Sequence, residues 1–442
     1  MNETKGGNTM TAKNSIANYE SKVREYTNFA IRGVKKVCKE CGPRECGKEA
    51  ERKAQQMMAK ELEDCCERVE FEDFKVAPRA FMGWVRLTIS LGLVSVLAYN
   101  LGQAWLSVAL LAFGLSAMVF EFLLYKKYLD PFFRQRTSCN VIGVRAPKGE
   151  VKRRIIFCGH ADSAPEWRFT YYGHKLFGTT KLLIVMIVVS VVSVLFILGI
   201  AIAAIAAGYA AQGIADLAAR GSAFNTLGYV QIGLCAPLLL TMLFHNNNRF
   251  VEGANDNLTG CYTSMAVAKL LGASDTRLEN TELIVLNSGG EEAGLRGAKA
   301  FCKAHAEEFK DVETVFIALD TMTEFDFMAI YYTDLTSTIK HDPAVCAMLR
   351  QGAKNAGYDV PYAILPFGAS DAAAAKQAGI RSAAFAAMDQ APPPYYHTRL
   401  DTVDLLDPKT MEACLKIVME TAWQFDQTGL APFEGAKVKA GL

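Results

Sequence analysis

Apolar and polar positions along this chain fall into two regimes. No charged residue occurs in Leu87–Phe120, in Leu182–Ala207 or in Phe224–Phe244. Elsewhere, apolar residues recur among charged ones at the spacing of amphipathic helices and short strands. As one straight helix, Leu87–Phe120 would reach about 50 Å, well beyond a hydrocarbon core of about 30 Å. The polar break Asn100-Leu-Gly-Gln103 divides it into Gly83–Tyr99 and Ala104–Tyr125, which suits a hairpin. Leu182–Ala207 and Phe224–Phe244 form a second pair across a linker holding Asp216 and Arg220. Pro237 and the glycines in these segments are tolerated in membrane helices. Four such segments in two close pairs predict two transmembrane hairpins rather than buried helices of a soluble core.

The remaining chain alternates between short apolar runs and amphipathic stretches. Asn14–Val69 has helical spacing, clearest over Glu49–Glu67, and reads as a solvated helix packed on a sheet. Strands are predicted at Asn140–Arg145, Arg154–Cys158, Glu282–Leu286, Val315–Leu319 and Ser382–Ala386. Helices are predicted at Cys261–Leu271, Leu295–His305, Ala344–Gly357 and Pro408–Asp426. This alternation argues an α/β layered domain with a mostly parallel sheet. The expected organisation is a disordered start (1–13), a helical N-terminal part (14–80), a first membrane hairpin (81–127) and a first domain segment (128–180). A second hairpin (181–245), the main part of the domain (246–430) and a tail (431–442) complete it.

Composition supports this division. Apolar residues make up 51% and charged residues 21%, and the mean hydropathy of +0.12 is high for a soluble chain. Lys and Arg number 47 against 46 Asp and Glu, a net charge of +1 that removes the basic excess nucleic-acid binding would want. Met1–Ser15 is polar and lacks an apolar core, so no signal peptide is expected. Twelve cysteines are too sparse for a secreted disulfide scaffold. Cys38 and Cys41 form a C-x-x-C without a properly spaced second pair, so free thiols are expected there rather than structural zinc. Hairpins return the chain to the side it left. Basic residues gather on that side (Arg79, Arg86, Lys126, Lys127, Arg134, Lys175, Lys181, Arg249), whereas the turns carry only Arg220. A multi-pass protein of the cell membrane with a cytoplasmic soluble domain follows from the positive-inside bias.

The chemistry sits where the strands end. Ile155-Ile-Phe-Cys158 runs into Gly159-His160-Ala161-Asp162. Leu283–Leu286 leads to Asn287-Ser-Gly-Gly290 and then Glu291-Glu292, and Val315–Leu319 ends on Asp320. In an open α/β sheet the ligand crevice lies at the carboxyl ends of the strands, so these groups are expected to converge. Asp256 precedes a helix, and His397 lies in the loop after Ser382–Ala386. His174, His245, His305 and His341 sit in contexts without partners and are read as structural. Two histidines with several carboxylates suit zinc or a similar divalent metal in mixed N/O coordination. Two ions about 3.5–4 Å apart need one carboxylate that reaches both. The inventory gives His160 and Asp320 for one ion, Glu292 and His397 for the other, and Asp256 as the bridge. Glu291 is left to act as general base on an activated water. Asp162 is spaced to accept the free ring N–H of His160.

His160-Ala-Asp162-Ser163, Gly253-Ala-x-Asp-Asn257, Glu291-Glu292-x-Gly294-Leu-x-Gly297, Asp320 and His397-Thr-x-x-Asp-Thr402 resemble the motifs of the M28 family of co-catalytic zinc peptidases. Ser370-Asp371 with Gly379-Ile380, and the segment around Gly42-Pro-Arg44 and Gly47-Lys-Glu49, resemble further family features. The match covers roughly Asn140–Gln427 once the second hairpin is set aside. The resemblance implies a three-layer, mostly parallel α/β fold of zinc-exopeptidase type, interrupted here by two transmembrane hairpins. It implies an aminopeptidase-type hydrolase with two zinc ions, a peptide substrate, and Asp162 and Glu291 as its active-site pair. Ala298 and Ala372 stand where polar or aromatic residues are commoner in the family, so substrate preference is left open, as is oligomeric state. Two other functions fit the same frame. One is a single-zinc enzyme resembling glutaminyl cyclase; the other is a non-catalytic membrane scaffold that retains the peptidase fold.

Overall fold

The computed structural model describes residues 10–209, 222–243 and 245–439. Eleven strands are present among them: β1 Arg68–Val76, β2 Arg136–Arg145, β3 Arg153–His160, β4 Pro165–Trp167, β5 His245–Phe250, β6 Thr281–Ser288, β7 Glu313–Met322, β8 Met328–Asp334, β9 Ile339–Lys340, β10 Tyr362–Ile364 and β11 Arg381–Ala387. One large sheet runs in the order β1-β2-β6-β3-β7-β11-β8-β10, with β9 paired to β8. Its centre, β6-β3-β7-β11, is parallel, whereas β1, β2 and β8 join in antiparallel pairs. The sheet is thus mixed at its edges. β1 and β8 were not expected: the first lies within the N-terminal part (14–80) expected to be helical, and no strand was predicted over Met328–Asp334.

The central strands are apolar on both faces because both faces are covered. Ile155, Phe157, Val285, Val315 and Ile317 pack against one layer of helices: Tyr19–Cys41, Glu49–Leu62, Thr259–Ala273, Pro343–Asn355 and Pro408–Thr428. Ile156, Cys158, Ile284, Leu286 and Phe316 face the other layer, which includes Arg296–His305 and Asp371–Gln377. Two of these helices begin with Asp-Pro: Asp342 and Asp407 each accept two backbone N–H groups, and proline sits in the first turn.

Among the described residues, four helices are long and apolar enough to cross a membrane: Ala80–Asn100, Ala104–Leu123, Lys181–Ala206 and Ala223–Thr241. The first two pack together as a pair, as do the last two, and Tyr99 stacks on Phe224 with ring centroids 4.4 Å apart. β4 and β5 pair antiparallel, so the second helix pair leaves and re-enters the domain at one place. Most of the linker expected between Ala207 and Phe224, with Asp216 and Arg220, lies outside the described residues. So do residues 1–9 of the expected disordered start. Ala12–Ser15, by contrast, forms a helical turn whose first amides bond to the buried Glu420, so Ala12 and Lys13 are ordered by that contact. All twelve cysteines are free thiols.

Candidate metal centre and active site

Close backbone packing builds the site. A Cβ on Gly159 would lie 2.3 Å from the Cys261 nitrogen, and one on Gly260 would lie 2.2 Å from the Leu319 carbonyl oxygen. Only glycine admits this approach. It seats the start of helix Thr259–Ala273 directly on β3 and β7. The preceding segment, Ala254–Leu258, thereby carries Asp256 over the ends of the strands that bear His160 and Asp320.

Asp256 touches both histidines. Its Oδ1 lies 3.1 Å from His160 Nε2 and its Oδ2 3.2 Å from His397 Nε2. Glu292 Oε1 is 3.3 Å from His397 Nε2, and Glu291 Oε2 is 3.9 Å from His160 Nε2. His160, Asp256 and Asp320 offer ligand atoms within 4.8 Å of one another, and so do Asp256, Glu292 and His397. The two groups share Asp256. All five residues named as ligands from the sequence therefore meet at one place, with Glu291 beside them.

Asp162 lies beside His160 and has further partners. Its two carboxylate oxygens accept the backbone N–H groups of Glu291 (3.0 Å) and Glu292 (3.2 Å). His160 Nδ1 lies 3.3 Å from the Asp162 backbone carbonyl and 3.5 Å from its carboxylate. The tight turn after β6 points two otherwise unpaired amides at this buried carboxylate, which accepts them while facing the imidazole. Asp162 thus holds the Glu-Glu turn itself.

Supporting residues emerge that the sequence reading did not single out. Asp401 accepts from the backbone and side-chain nitrogens of Asn255 (both 2.8 Å) and from the Asp256 amide (3.1 Å). Arg44, fully buried, donates to the carbonyls of Ala161, Glu252 and Gly253. Glu51 accepts from Ser138 and from the amides of Gly47 and Gly290. The signal was present in part: Asp401 and Arg44 lie within quoted motifs, but their targets are distant in sequence. Trp167 packs edge-on to His397 (4.5 Å) and Tyr396 stacks on it (4.0 Å), fixing the ring. Two histidines read as unpartnered have partners: His341 contacts Asp334 (3.0 Å) and His305 contacts Glu72 (2.5 Å).

The electrostatics are those of crowded carboxylates. Burial pushes the Glu291 carboxyl well above its ordinary value, helped by Glu292 and opposed by His160. Burial and Asp256 push Asp320 up to about 7, and the same two causes push Asp401 up to about 7. Burial opposes a charge on His397, but Glu292 and Asp256 outweigh it and push the imidazole up to about 10. Asp256 itself is held below the usual carboxylate range: burial raises it, and the two imidazoles more than reverse that. Glu292 Oε1, His397 Nδ1 and Asp371 Oδ1 are buried without a hydrogen-bond partner. A buried anionic cluster with spare donor atoms is stabilised by cations, and this N/O donor set suits zinc.

The model of peptidase family M28 matches residues 241–422. That span contains Asp256, Glu291, Glu292, Asp320 and His397 and begins after His160 and Asp162, which the second hairpin separates from the rest. A search of curated proteins finds no match to the sequence. Among solved structures, an aminopeptidase from Aneurinibacillus sp. strain AM-1 is 14% identical, covers 92% of this chain and 95% of its own, and has a TM-score of 0.54. BSAP, a zinc aminopeptidase from Bacillus subtilis, is 14% identical over 91% and 95% of the two chains, with a TM-score of 0.53. A glutaminyl cyclase from Bacteroides thetaiotaomicron, bound to N-acetylhistamine, is also 14% identical over 91% and 97%, with a TM-score of 0.51. The family match and the shared mixed α/β fold carry the M28 resemblance read from the motifs and support a hydrolase of the peptidase class.

Proposed function

We propose that this chain is a membrane-anchored aminopeptidase that works with two zinc ions, other divalent metals being acceptable substitutes. The observation that carries the reading is Asp256, whose two oxygens face two different imidazole nitrogens at 3.1 and 3.2 Å. On this reading His160 and Asp320 hold one ion, Glu292 and His397 the other, and Asp256 both. The metals, when bound, supply Lewis acidity that polarises a carbonyl and acidifies water.

The protein's own groups do the rest. Glu291, beside His160 and kept basic by burial, takes a proton from the attacking water and delivers it to the leaving amine. The peptide C–N bond breaks, and water supplies OH to the acyl side and H to the amine. Asp162 holds the Glu291 and Glu292 amides and so sets where the base and its metal-binding neighbour point. On the same reading the apolar helices anchor the domain in the cell membrane, and the clustered basic residues at their domain-side ends support a cytoplasmic site.

The test joins metal counting with a peptide-library cleavage profile on the purified full chain. Two zinc ions per chain and release of free amino-terminal residues are expected. Glu291→Gln should remove turnover while leaving the metal count intact; undiminished activity would refute its role. One ion per chain with cyclisation of amino-terminal glutamine would transfer the protein to the glutaminyl-cyclase reading. Failure to bind zinc would leave a scaffold.

A further inference from the structure

A cavity of about 360 Å³ opens onto the candidate site. His160, Asp256, Glu291, Glu292, Asp320 and His397 line one part of it. Another part is walled by the membrane helices, through Phe122, Leu183, Ile184, Ile187 and Val188, with Tyr125 and Phe367 beside them.

The wall from helix Lys181–Ala206 has two adjacent rows. Leu183 and Ile187, one turn apart, face inward, and Leu183 is 3% exposed. Ile184 and Val188, also one turn apart, are 52% and 54% exposed. Both rows line the cavity, so its boundary reaches the outer surface across a single helix edge. The outer row continues along the charge-free run of this helix in Val192, Leu195 and Phe196, all exposed.

Depth follows from length. This helix has 26 residues, about 39 Å at 1.5 Å per residue, against a hydrocarbon core of about 30 Å. Ile184 and Val188 sit in its first two turns, roughly 5–10 Å from the start, at the level of the headgroup boundary. The preceding helix, Arg168–Phe177, turns Tyr172, Leu176 and Phe177 outward beside Lys175. That is the pattern of a helix lying in the membrane surface.

We propose that the substrate is an apolar peptide partitioned into the membrane surface, which enters from the bilayer side across Ile184 and Val188. Its amino terminus reaches the Glu291–His160 cluster while its apolar tail stays against the helix. A hydrophilic chain would shed water against this wall without gaining a hydrogen-bond partner. The proposal names the substrate class of the peptidase reading and rests on it.

The test uses the zinc-loaded full chain in phosphatidylcholine–phosphatidylglycerol vesicles. Two substrates share one amino-terminal tripeptide; one ends in a free carboxylate and the other carries a hexadecyl amide. The tailed peptide should be cleaved at least tenfold faster at equal bulk concentration. Ile184→Trp and Val188→Trp, which narrow the entrance, should each lower the tailed-to-free rate ratio at least fivefold. Phe196→Trp, farther along the same exposed row, should leave the ratio at the wild-type value and so removes simple surface concentration as the cause. In parallel, a diazirine in the tail should crosslink residues 183–188 of the Glu291→Gln protein, and Ile184→Trp should suppress that crosslink. Cleavage of the free peptide with a ratio insensitive to Ile184→Trp overturns the entrance and leaves the peptidase reading standing. Crosslinking at 183–188 without cleavage of either peptide by the wild-type protein supports the entrance and overturns the peptidase reading. Neither cleavage nor crosslink overturns both.

Discussion

Asp401 offers the sharpest test of how the site is held. It touches no proposed substrate position, yet its carboxylate accepts three hydrogen bonds from Asn255 and Asp256, the segment that carries the shared ligand. Asp401→Asn keeps the shape. One oxygen can still accept from Asn255, but the new amide turns a donor toward the Asp256 N–H, and that bond is lost. A hydrogen bond to a charged group contributes about 1.5–3 kcal/mol. With about 1.4 kcal/mol per factor of ten, zinc affinity should fall roughly 10–100-fold, the range usual for partners that orient a ligand. Competition against a chelator of known affinity measures this directly, and circular dichroism and the melting temperature of the metal-free protein report on folding. Asp401→Ala, which removes all three bonds, should fall further. Zinc affinity within twofold of wild type for Asp401→Asn would refute the claim that Asp401 positions Asp256, whatever the melting temperature did.

Other outcomes follow from the same geometry. Arg296 pairs with Glu121 (2.6 Å) and Asp130 (2.8 Å) in a buried cluster, tying the helix after the Glu-Glu turn to the end of the first apolar hairpin. Arg296→Met should destabilise by about 3–5 kcal/mol because two carboxylates are left uncompensated, and adding Glu121→Gln should recover part of the lost melting temperature; no loss in the single variant would contradict the pairing. Burial, with Asp256 as the next cause, raises Asp320 and Asp401 to about 7; burial, followed by Asp162, raises Glu51 to about 8. The native state of the metal-free protein therefore binds these protons more tightly than the unfolded chain. Its stability should be greatest near pH 4 and decline toward about pH 8, with zinc offsetting the decline; a melting temperature that rises with pH after chelation would reverse the assigned sign. Tyr396→Ala removes a ring stacked on His397 and should weaken zinc retention several-fold with little change in fold, read by metal analysis after dialysis.

Much of this protein was legible in its sequence because the relevant signals are local. A charge-free run longer than a bilayer, broken by Asn100–Gln103, announces a helical hairpin without any knowledge of packing. Apolar strands that end on His160, Glu291-Glu292 and Asp320 announce a crevice, since the carboxyl ends of parallel strands share one edge. What the sequence could not contain was apposition. Strand β1 is as charged as a surface helix, and only its pairing with β2 makes it a strand. Arg44, Glu51 and Asp401 are ordinary charged residues until the fold aims them at backbone groups more than a hundred positions away. The motif spacing put Asp162 beside His160; that its carboxylate also holds two amides from a turn 129 and 130 positions later only the fold decided. The cavity wall is likewise tertiary. Ile184 and Val188 belong to an apolar segment by composition, and they become neighbours of the histidine–carboxylate cluster only because β4 and β5 clamp that hairpin beside β3. Burial free energy and bilayer length are read residue by residue, whereas a hydrogen bond between distant segments exists only once the chain has closed on itself.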